Sequence, residues 1–269
     1  MHYALIEDFG SGLQLLFWAK QDLNHRMPII LNSNLVNLAR SLNVPYLTKL
    51  PRIVDNDMLV VGKMKNLGKH YEFIQLVQER NIEWNLLLDS WVNYNINENL
   101  LPNNVWVTDS WAFEFATRIY QNSQICIIEN HLLRYVTEKC LPRTPKYLLY
   151  TASPPNDYSG RIREVHAKSC ICGDIERIQE LELGSKICIR FHPGYQRSPC
   201  EVRFLQKYLA NSSDFQFSES LDFTEDLQNA EILFGPISYL HYLSESIQIP
   251  SFSTSHPTSN WKGPQFRSI

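Results

Sequence analysis

The sequence predicts an α/β fold of two domains, each built on a parallel sheet. Apolar runs typical of strands alternate with helical stretches in units of roughly 25 to 30 residues, which indicates parallel sheets. A stretch with two prolines, Pro142 and Pro145, interrupts this alternation and is the best candidate for a linker. We therefore expect an N-terminal domain over residues 1–142 and a C-terminal domain over residues 143–269.

The first domain shows the alternation most clearly. The predicted strands are 3–6, 28–31, 58–61, 84–88, 104–107 and 125–128, and the predicted helices include 13–23, 35–42 and 71–79. Because the carboxyl ends of parallel strands meet at one edge of a sheet, residues that directly follow the strands are candidates for a binding site.

Acidic residues follow several of these strands. Asp8 lies in a loop with Gly10, where a base has little steric cover, and is the preferred candidate for a catalytic base. Asp89 and Asp109 are candidate acceptor-binding residues together with Gly10, but each aspartate could equally cap a following helix. The pair Gly10 and Gly12 lacks the third glycine of the dinucleotide fingerprint and is equally explained by a tight turn that starts a helix.

The second domain repeats the pattern. Strands are predicted at 147–151, 187–191, 215–217, 232–234 and 249–252, and helical segments at 165–183, 202–209 and 224–227. The tail after the last strand is rich in serine, threonine and proline, and we expect it to be partly mobile.

Two loops of the second domain are predicted to form a phosphate site. One strand ends at His192 before Pro193, and alternation places Arg190 on the same strand face as His192, so Arg190 is a candidate phosphate contact. The other loop is Gly235-Pro236, followed by Ser238 at the position of a helix N-cap. A helix N-terminus at the carboxyl edge of a parallel sheet favours a phosphate. The alternative for His192 is a loop histidine hydrogen-bonded to the backbone.

Composition restricts the class of partner. The chain has 269 residues, 44% of them hydrophobic, and its formal charge of −3 argues against a nucleic-acid partner.

No stretch is apolar enough to insert in a membrane, and the acidic N-terminus is unlike a signal peptide, so we expect a cytoplasmic protein. The six cysteines are then expected to be free thiols. We expect no metal and no cofactor, because Cys170-x-Cys172 is a poor zinc half-site.

With these motifs, residues 146–254 resemble the donor-binding domain of GT-B class glycosyltransferases. The resemblance implies an α/β fold with two Rossmann-like domains whose parallel sheets face a cleft. The strand that ends in His192-Pro193 and the later serine loop are similar to those of bacterial sialyltransferases, and also to enzymes that transfer glycerol phosphate from CDP-glycerol. In the sialyltransferases an acidic-acidic-glycine motif supplies the base. Here Glu7-Asp8-Phe9-Gly10 has an additional phenylalanine, and Ser238 is followed by Tyr239 instead of a second small hydroxyl residue.

The resemblance implies transfer of a sugar from a nucleotide-activated donor to a glycan acceptor without a metal. The motifs similar to those of the sialyltransferases imply a sugar of the sialic acid type. His192 and Ser238 would hold the nucleotide and Asp8 would accept the acceptor's proton. The family context implies surface polysaccharide biosynthesis at the cytoplasmic face of a membrane. The alternatives are a nucleotide-sugar hydrolase, a glycerophosphate transferase, and a catalytically inactive binding protein that keeps the GT-B fold.

Overall fold

The computed structural model describes residues 1–63, 70–89, 99–152, 171–191, 214–220, 222–254 and 263–269, together with 203, 205–207 and 209. Contacts between Cα atoms divide the chain into two compact units, Met1–Tyr135 and Val136–Thr258, and each unit also takes a short part of the C-terminal tail.

The first unit contains a six-stranded sheet with the order β2-β1-β3-β4-β5-β6. All pairings between these strands are parallel. The strands are β1 His2–Ile6, β2 Arg26–Ile30, β3 Met58–Gly62, β4 Glu83–Leu87, β5 Asn104–Val107 and β6 Gln124–Ile127.

Helices connect these strands in the manner of a Rossmann-like fold. They are α1 Phe9–Lys20, α2 Ser33–Ser41, α3 Tyr71–Glu79, α4 Ser110–Ile119 and α5 His131–Cys140, and α5 continues past the last residue of the first unit. One face of the sheet packs in a core that contains Leu5, Ile29 and Val61 together with Ile74 of α3. Since α1, α2, α4 and α5 each begin a few residues after a strand ends, their N-termini lie at the carboxyl edge of the sheet.

The second unit contains another six-stranded parallel sheet, with the order β12-β11-β10-β7-β8-β9. All five residues of β7, the strand beside β10 and β8, are buried, as expected for a central strand covered on both faces. The elements are β7 Tyr147–Thr151, α6 Gly173–Glu180, β8 Ile187–Arg190, β9 Phe215–Phe217, α7 Phe223–Asn229, β10 Ala230–Gly235, α8 Tyr239–Ser246, β11 Ser251–Ser253 and β12 Arg267–Ser268.

The structure therefore confirms an α/β fold with two parallel sheets, and it differs from the expected elements at the C-terminus. The last predicted strand, 249–252, forms later, at Ser251–Ser253. The end of the tail, expected to be mobile, instead pairs as β12 with β11. Two residues are too short a run to show alternation, so this edge strand has no sequence signal.

Three findings concern the cysteines, the possible metal ligands and the helices of the described residues. The four cysteines that the structure describes are free thiols, at Cys126, Cys140, Cys172 and Cys188. Among the described side chains, no group of three or more His, Cys, Asp or Glu residues could hold a metal ion. Within the same part of the chain, every helix is too short or too polar to cross a membrane.

Candidate functional site

In the first unit, Asp8, Gly10 and Asp89 meet at the carboxyl edge of the sheet. Asp8 is the N-cap of α1, and its Oδ2 accepts a hydrogen bond of 3.2 Å from the Gly10 amide. A Cβ atom on Gly10 would lie 2.1 Å from Asp89 Oδ2 and 3.6 Å from Asp8 Oδ2. Both carboxylates therefore lie beside Gly10, where an added Cβ would force the Asp89 carboxylate to shift.

This arrangement changes the comparison between the three aspartates. The sequence favoured Asp8 for catalysis because its glycine-containing loop leaves a base little steric cover, whereas Asp89 and Asp109 could be helix caps. Asp8 is itself a cap, and so is Asp109, whose Oδ1 accepts a 2.8 Å hydrogen bond from the Ala112 amide at the start of α4. Asp109 follows β5, next to β4 in the sheet, and its capping bond is its structural role.

A carboxylate and imidazole pair that sequence reasoning missed lies at the same edge. Glu7 directly precedes Asp8, and its Oε1 lies 3.8 Å from Nε2 of His70, the residue before α3. The Glu7 side chain is 26% exposed and the His70 side chain 14% exposed. Within the described part of the chain, Glu7 Oε2 and His70 Nδ1 are buried without a hydrogen-bond partner. Such a pair can carry a proton.

In the second unit, Gly235 brings two strand ends into close contact. It ends β10 with φ +149°, a conformation that favours glycine, and a Cβ there would lie 2.5 Å from the Thr151 carbonyl oxygen at the end of β7. The chain then turns through Pro236 to Ser238, the N-cap of α8. The predicted turn from strand to helix is therefore present, and the first amides of α8 point towards the carboxyl edge of the sheet.

The hydroxyl group of Ser238 is used differently from what an N-cap suggests. It makes no hydrogen bond to a backbone amide of α8 and lies 3.3 Å from Nδ1 of His241. The other ring nitrogen, Nε2, lies 3.3 Å from the carbonyl oxygen of Phe252. Because a carbonyl oxygen only accepts hydrogen bonds, Nε2 must carry the hydrogen.

This hydrogen bond also fixes the direction of the bond to the serine. His241 is fully buried, and burial lowers the pKa of its ring to about 4, so the ring is neutral at pH 7. Its Nδ1 is then an acceptor, and the Ser238 hydroxyl donates to it. Ser238 Oγ therefore presents lone pairs, and not its hydrogen, to any ligand at the start of α8.

Arg190, the predicted phosphate contact, lies in a polar network within the second unit. Its Nη1 is 2.5 Å from Oδ2 of Asp226, 3.2 Å from Ser218 Oγ and 3.0 Å from the Ser220 carbonyl oxygen. The Asp226 side chain is 6% exposed. The guanidinium group therefore neutralises a buried carboxylate, and its contact with a phosphate stays a prediction. The predicted His192 and Pro193 lie outside the described residues.

The fold is similar to solved structures of nucleotide-sugar enzymes, although no protein-family model and no curated protein matches the sequence. UDP-GlcNAc 2-epimerase from Methanocaldococcus jannaschii, solved with UDP-GlcNAc and UDP, is 14% identical with a TM-score of 0.64 over 94% of this chain and 83% of the epimerase. A glycosyltransferase from Rickettsia africae is 10% identical with a TM-score of 0.54, over 97% and 80% of the two chains.

A third solved structure belongs to a polymerase. The wall teichoic acid polymerase TagF, as its H444N variant, is 10% identical with a TM-score of 0.51, over 94% of this chain and 69% of the polymerase. Identities this low establish similarity of fold and leave the reaction open. Together with the two parallel sheets, they show that this chain has an α/β fold of the GT-B type.

Proposed function

We propose that this protein is a glycosyltransferase that takes a sugar from a nucleotide-activated donor and transfers it to a glycan acceptor in surface polysaccharide biosynthesis. The observation that carries the proposal is the turn from β10 into α8, where Gly235 ends a strand and Ser238 begins a helix at the carboxyl edge of a parallel sheet. This geometry suits the phosphate groups of a nucleotide. The similar folds of UDP-GlcNAc 2-epimerases and of a glycosyltransferase support the same class of ligand.

On the donor side, different residues would contact different parts of the nucleotide. The N-terminal amides of α8 and the dipole of this helix would stabilise the negative charge that develops on the departing phosphate. Ser238 Oγ, whose hydrogen is donated to His241, would accept a hydrogen bond from a hydroxyl or N–H group of the nucleotide. His192 with Pro193, and Arg190, keep their proposed roles near the phosphates.

On the acceptor side, a carboxylate has to take a proton from the attacking hydroxyl. In the proposed reaction the acceptor oxygen bonds to the anomeric carbon, the bond from that carbon to the nucleotide phosphate breaks, and the proton moves to Asp8. Asp89, Asp109 and Gly10 would contact the acceptor. We place Glu7 and His70 beside the base as a second route for the proton, because each has a buried polar atom with no hydrogen-bond partner among the described residues.

A second candidate is a reaction of the nucleotide sugar without an acceptor, either hydrolysis or epimerisation. The approach of Asp8 and Asp89 over Gly10 favours it, because two neighbouring carboxylates can serve as acid and base on one substrate. Glycerophosphate transfer, and a binding protein without turnover, would use the same nucleotide site. The proposed role in polysaccharide synthesis would place the protein at the cytoplasmic face of a membrane.

Calorimetric titration with UDP, CMP, CDP and GDP tests the nucleotide site. We expect one of these nucleotides to bind, and Ser238→Ala and His192→Ala each to weaken its binding at least tenfold. Ser246→Ala, on an exposed residue at the far end of α8, is the matched control and should bind as the unaltered protein does. If no nucleotide binds, the chain is not a nucleotide-sugar enzyme.

Activity with the matching nucleotide sugar then separates the candidates. For a transferase, nucleotide release should depend on an added glycan acceptor, and Asp8→Asn should lower it by about a hundredfold or more. Asp22→Asn, an exposed carboxylate after α1, should leave activity unchanged. Release or sugar isomerisation that ignores the acceptor would favour the second candidate.

A further inference from the structure

An apolar groove lies at the opposite edge of the first sheet from the candidate site. It has a volume of about 400 Å³ and is formed by residues 50–53, which precede β3, by α3, and by Arg80 and Ile82, which precede β4. Residues that precede parallel strands lie at the amino edge of the sheet. The groove is therefore separate from the carboxyl edge, where Asp8, Asp89 and His70 are located.

The walls of the groove are aliphatic and partly open to solvent. Its floor is the buried surface of Ile53, Val77 and Ile82, each at most 4% exposed. On its rim, Leu50 is 39% exposed and Leu76 is 43% exposed. Large aliphatic side chains that remain this exposed around a concave surface of ligand size indicate a site for an apolar group.

Two cations flank this aliphatic surface. Arg52 and Arg80 both line the groove, and among the described residues neither side chain makes an ion pair or hydrogen bond. Two other arginines of the same unit are engaged: Arg26 donates to the Trp18 carbonyl oxygen, and Arg40 donates to Tyr46. None of the nine described residues that line the groove carries a carboxylate. A pair of available guanidinium groups is suited to a phosphate, which accepts several of their hydrogen bonds.

We propose that this groove binds an aliphatic chain that carries a phosphate group, with the chain against Leu50 and Leu76 and the phosphate between Arg52 and Arg80. A neutral aliphatic ligand would leave both cations unused, and an inorganic anion would leave the aliphatic surface exposed. The combination of both surfaces in one groove therefore specifies an anionic amphiphile. This site is independent of the proposed nucleotide reaction and is tested without it.

Calorimetry with octyl phosphate, below its micelle concentration, tests the assignment on the full chain. We expect octyl phosphate to bind at least tenfold more tightly than octyl glucoside, which has the same chain without a charge, and inorganic phosphate not to bind measurably. The double variant Arg52→Gln and Arg80→Gln should weaken octyl phosphate at least tenfold, and Leu76→Ser should also weaken it. Arg118→Gln removes an exposed arginine from α4 and should have no effect.

Each contrary result overturns the proposal. Equal binding of octyl glucoside would show an apolar patch without a role for the arginines. Inorganic phosphate that binds as well as octyl phosphate would show an anion site without a chain. Octyl phosphate that binds the double variant normally would place the amphiphile elsewhere, and a concentration-dependent dimer lost on Leu76→Ser would show that a second copy of the chain covers this face.

Discussion

At the scale of single residues, Gly235 is a position where the backbone conformation and the space around it both disfavour a side chain. Its φ of +149° is rarely adopted by other residues, and a Cβ would lie 2.5 Å from a backbone oxygen of β7 that cannot move without the sheet. Strain and overpacking each cost about 1 to 3 kcal/mol. We therefore expect Gly235→Ala to lower the free energy of unfolding by about 3 kcal/mol, as measured by urea denaturation.

Gly173, the first residue of α6, provides the matched control. A Cβ there would meet nothing within 4 Å, and its φ is not in the restricted range. Since alanine favours helix more than glycine does, Gly173→Ala should leave stability unchanged or raise it slightly. Equal losses from the two variants would mean that the contact between β10 and β7 is not the cause.

His241 makes stability depend on pH. Burial lowers the pKa of the folded-state ring to about 4, whereas the unfolded chain titrates near 6.5. Between these values the unfolded state binds more protons, so the free energy of unfolding falls as the pH is lowered from 6.5 to 4. The expected loss is about 3 kcal/mol, at about 1.4 kcal/mol per pKa unit.

Urea denaturation of His241→Gln at several pH values tests this assignment. The variant is expected to lose stability at pH 7 and to show a flatter dependence on pH between 6.5 and 4. His25→Gln, whose ring is 73% exposed, should keep the dependence of the unaltered protein. If His241→Gln keeps it as well, another group is responsible for the acid sensitivity.

At the scale of elements, the ion pair between Arg190 and Asp226 joins β8 to α7. Asp226 also receives hydrogen bonds from Ser218 Oγ at 2.6 Å and from the Tyr147 hydroxyl group on β7 at 3.3 Å. Removing one partner leaves the other charge buried, which costs about 3 to 5 kcal/mol. We expect Asp226→Ala to lower the free energy of unfolding by this amount, measured by denaturation at pH 7.

An exposed pair is the comparison for this prediction. Glu129 and Arg134 lie 3.1 Å apart, with side chains 51% and 54% exposed. Because solvent screens such pairs, we expect Glu129→Gln to lower the free energy of unfolding by less than about 1 kcal/mol. Similar losses from Asp226→Ala and Glu129→Gln would show that the buried network contributes little. A normal nucleotide affinity in Arg190→Gln would assign that arginine to stability alone.

Most of the elements could be predicted from the sequence, because buried parallel strands consist of short apolar runs bounded by turn residues. β7 and β8 begin and end close to their expected positions. The sequence indicates less clearly which strands pair with each other. β12 could not be predicted, because a two-residue edge strand depends on its neighbour for hydrogen bonds.

The candidate sites were predictable only in part. Asp8, Gly10 and Asp89 were expected at one edge because parallel strands bring their carboxyl ends together, and the structure places them there. The pair of Glu7 and His70 was missed, since His70 precedes a helix and has no local pattern that relates it to β1. His241 was also missed, because a histidine on an apolar helix face looks like an ordinary core residue until its two hydrogen bonds are known.

At the scale of the whole molecule, each unit has its own sheet and its own core, so we expect two unfolding transitions. The chain offers probes that distinguish them. Five of its six tryptophans, Trp18, Trp84, Trp91, Trp106 and Trp111, lie before residue 135, and the sixth, Trp261, lies in the tail, so the segment 136–258 contains none. Tryptophan fluorescence therefore reports the first unit, whereas far-ultraviolet circular dichroism reports both.

A bound nucleotide should stabilise only the second unit. At a free concentration of about a hundred times its Kd, a ligand adds about 2.7 kcal/mol to the unit that binds it, or about 10 °C in Tm for a unit of this size. We expect the nucleotide selected by calorimetry to raise the Tm of the circular dichroism transition that has no fluorescence counterpart, and Ser238→Ala to abolish that rise. A shift of the fluorescence transition alone would place the nucleotide in the first unit, whereas a joint shift of both transitions would show that the units unfold as one.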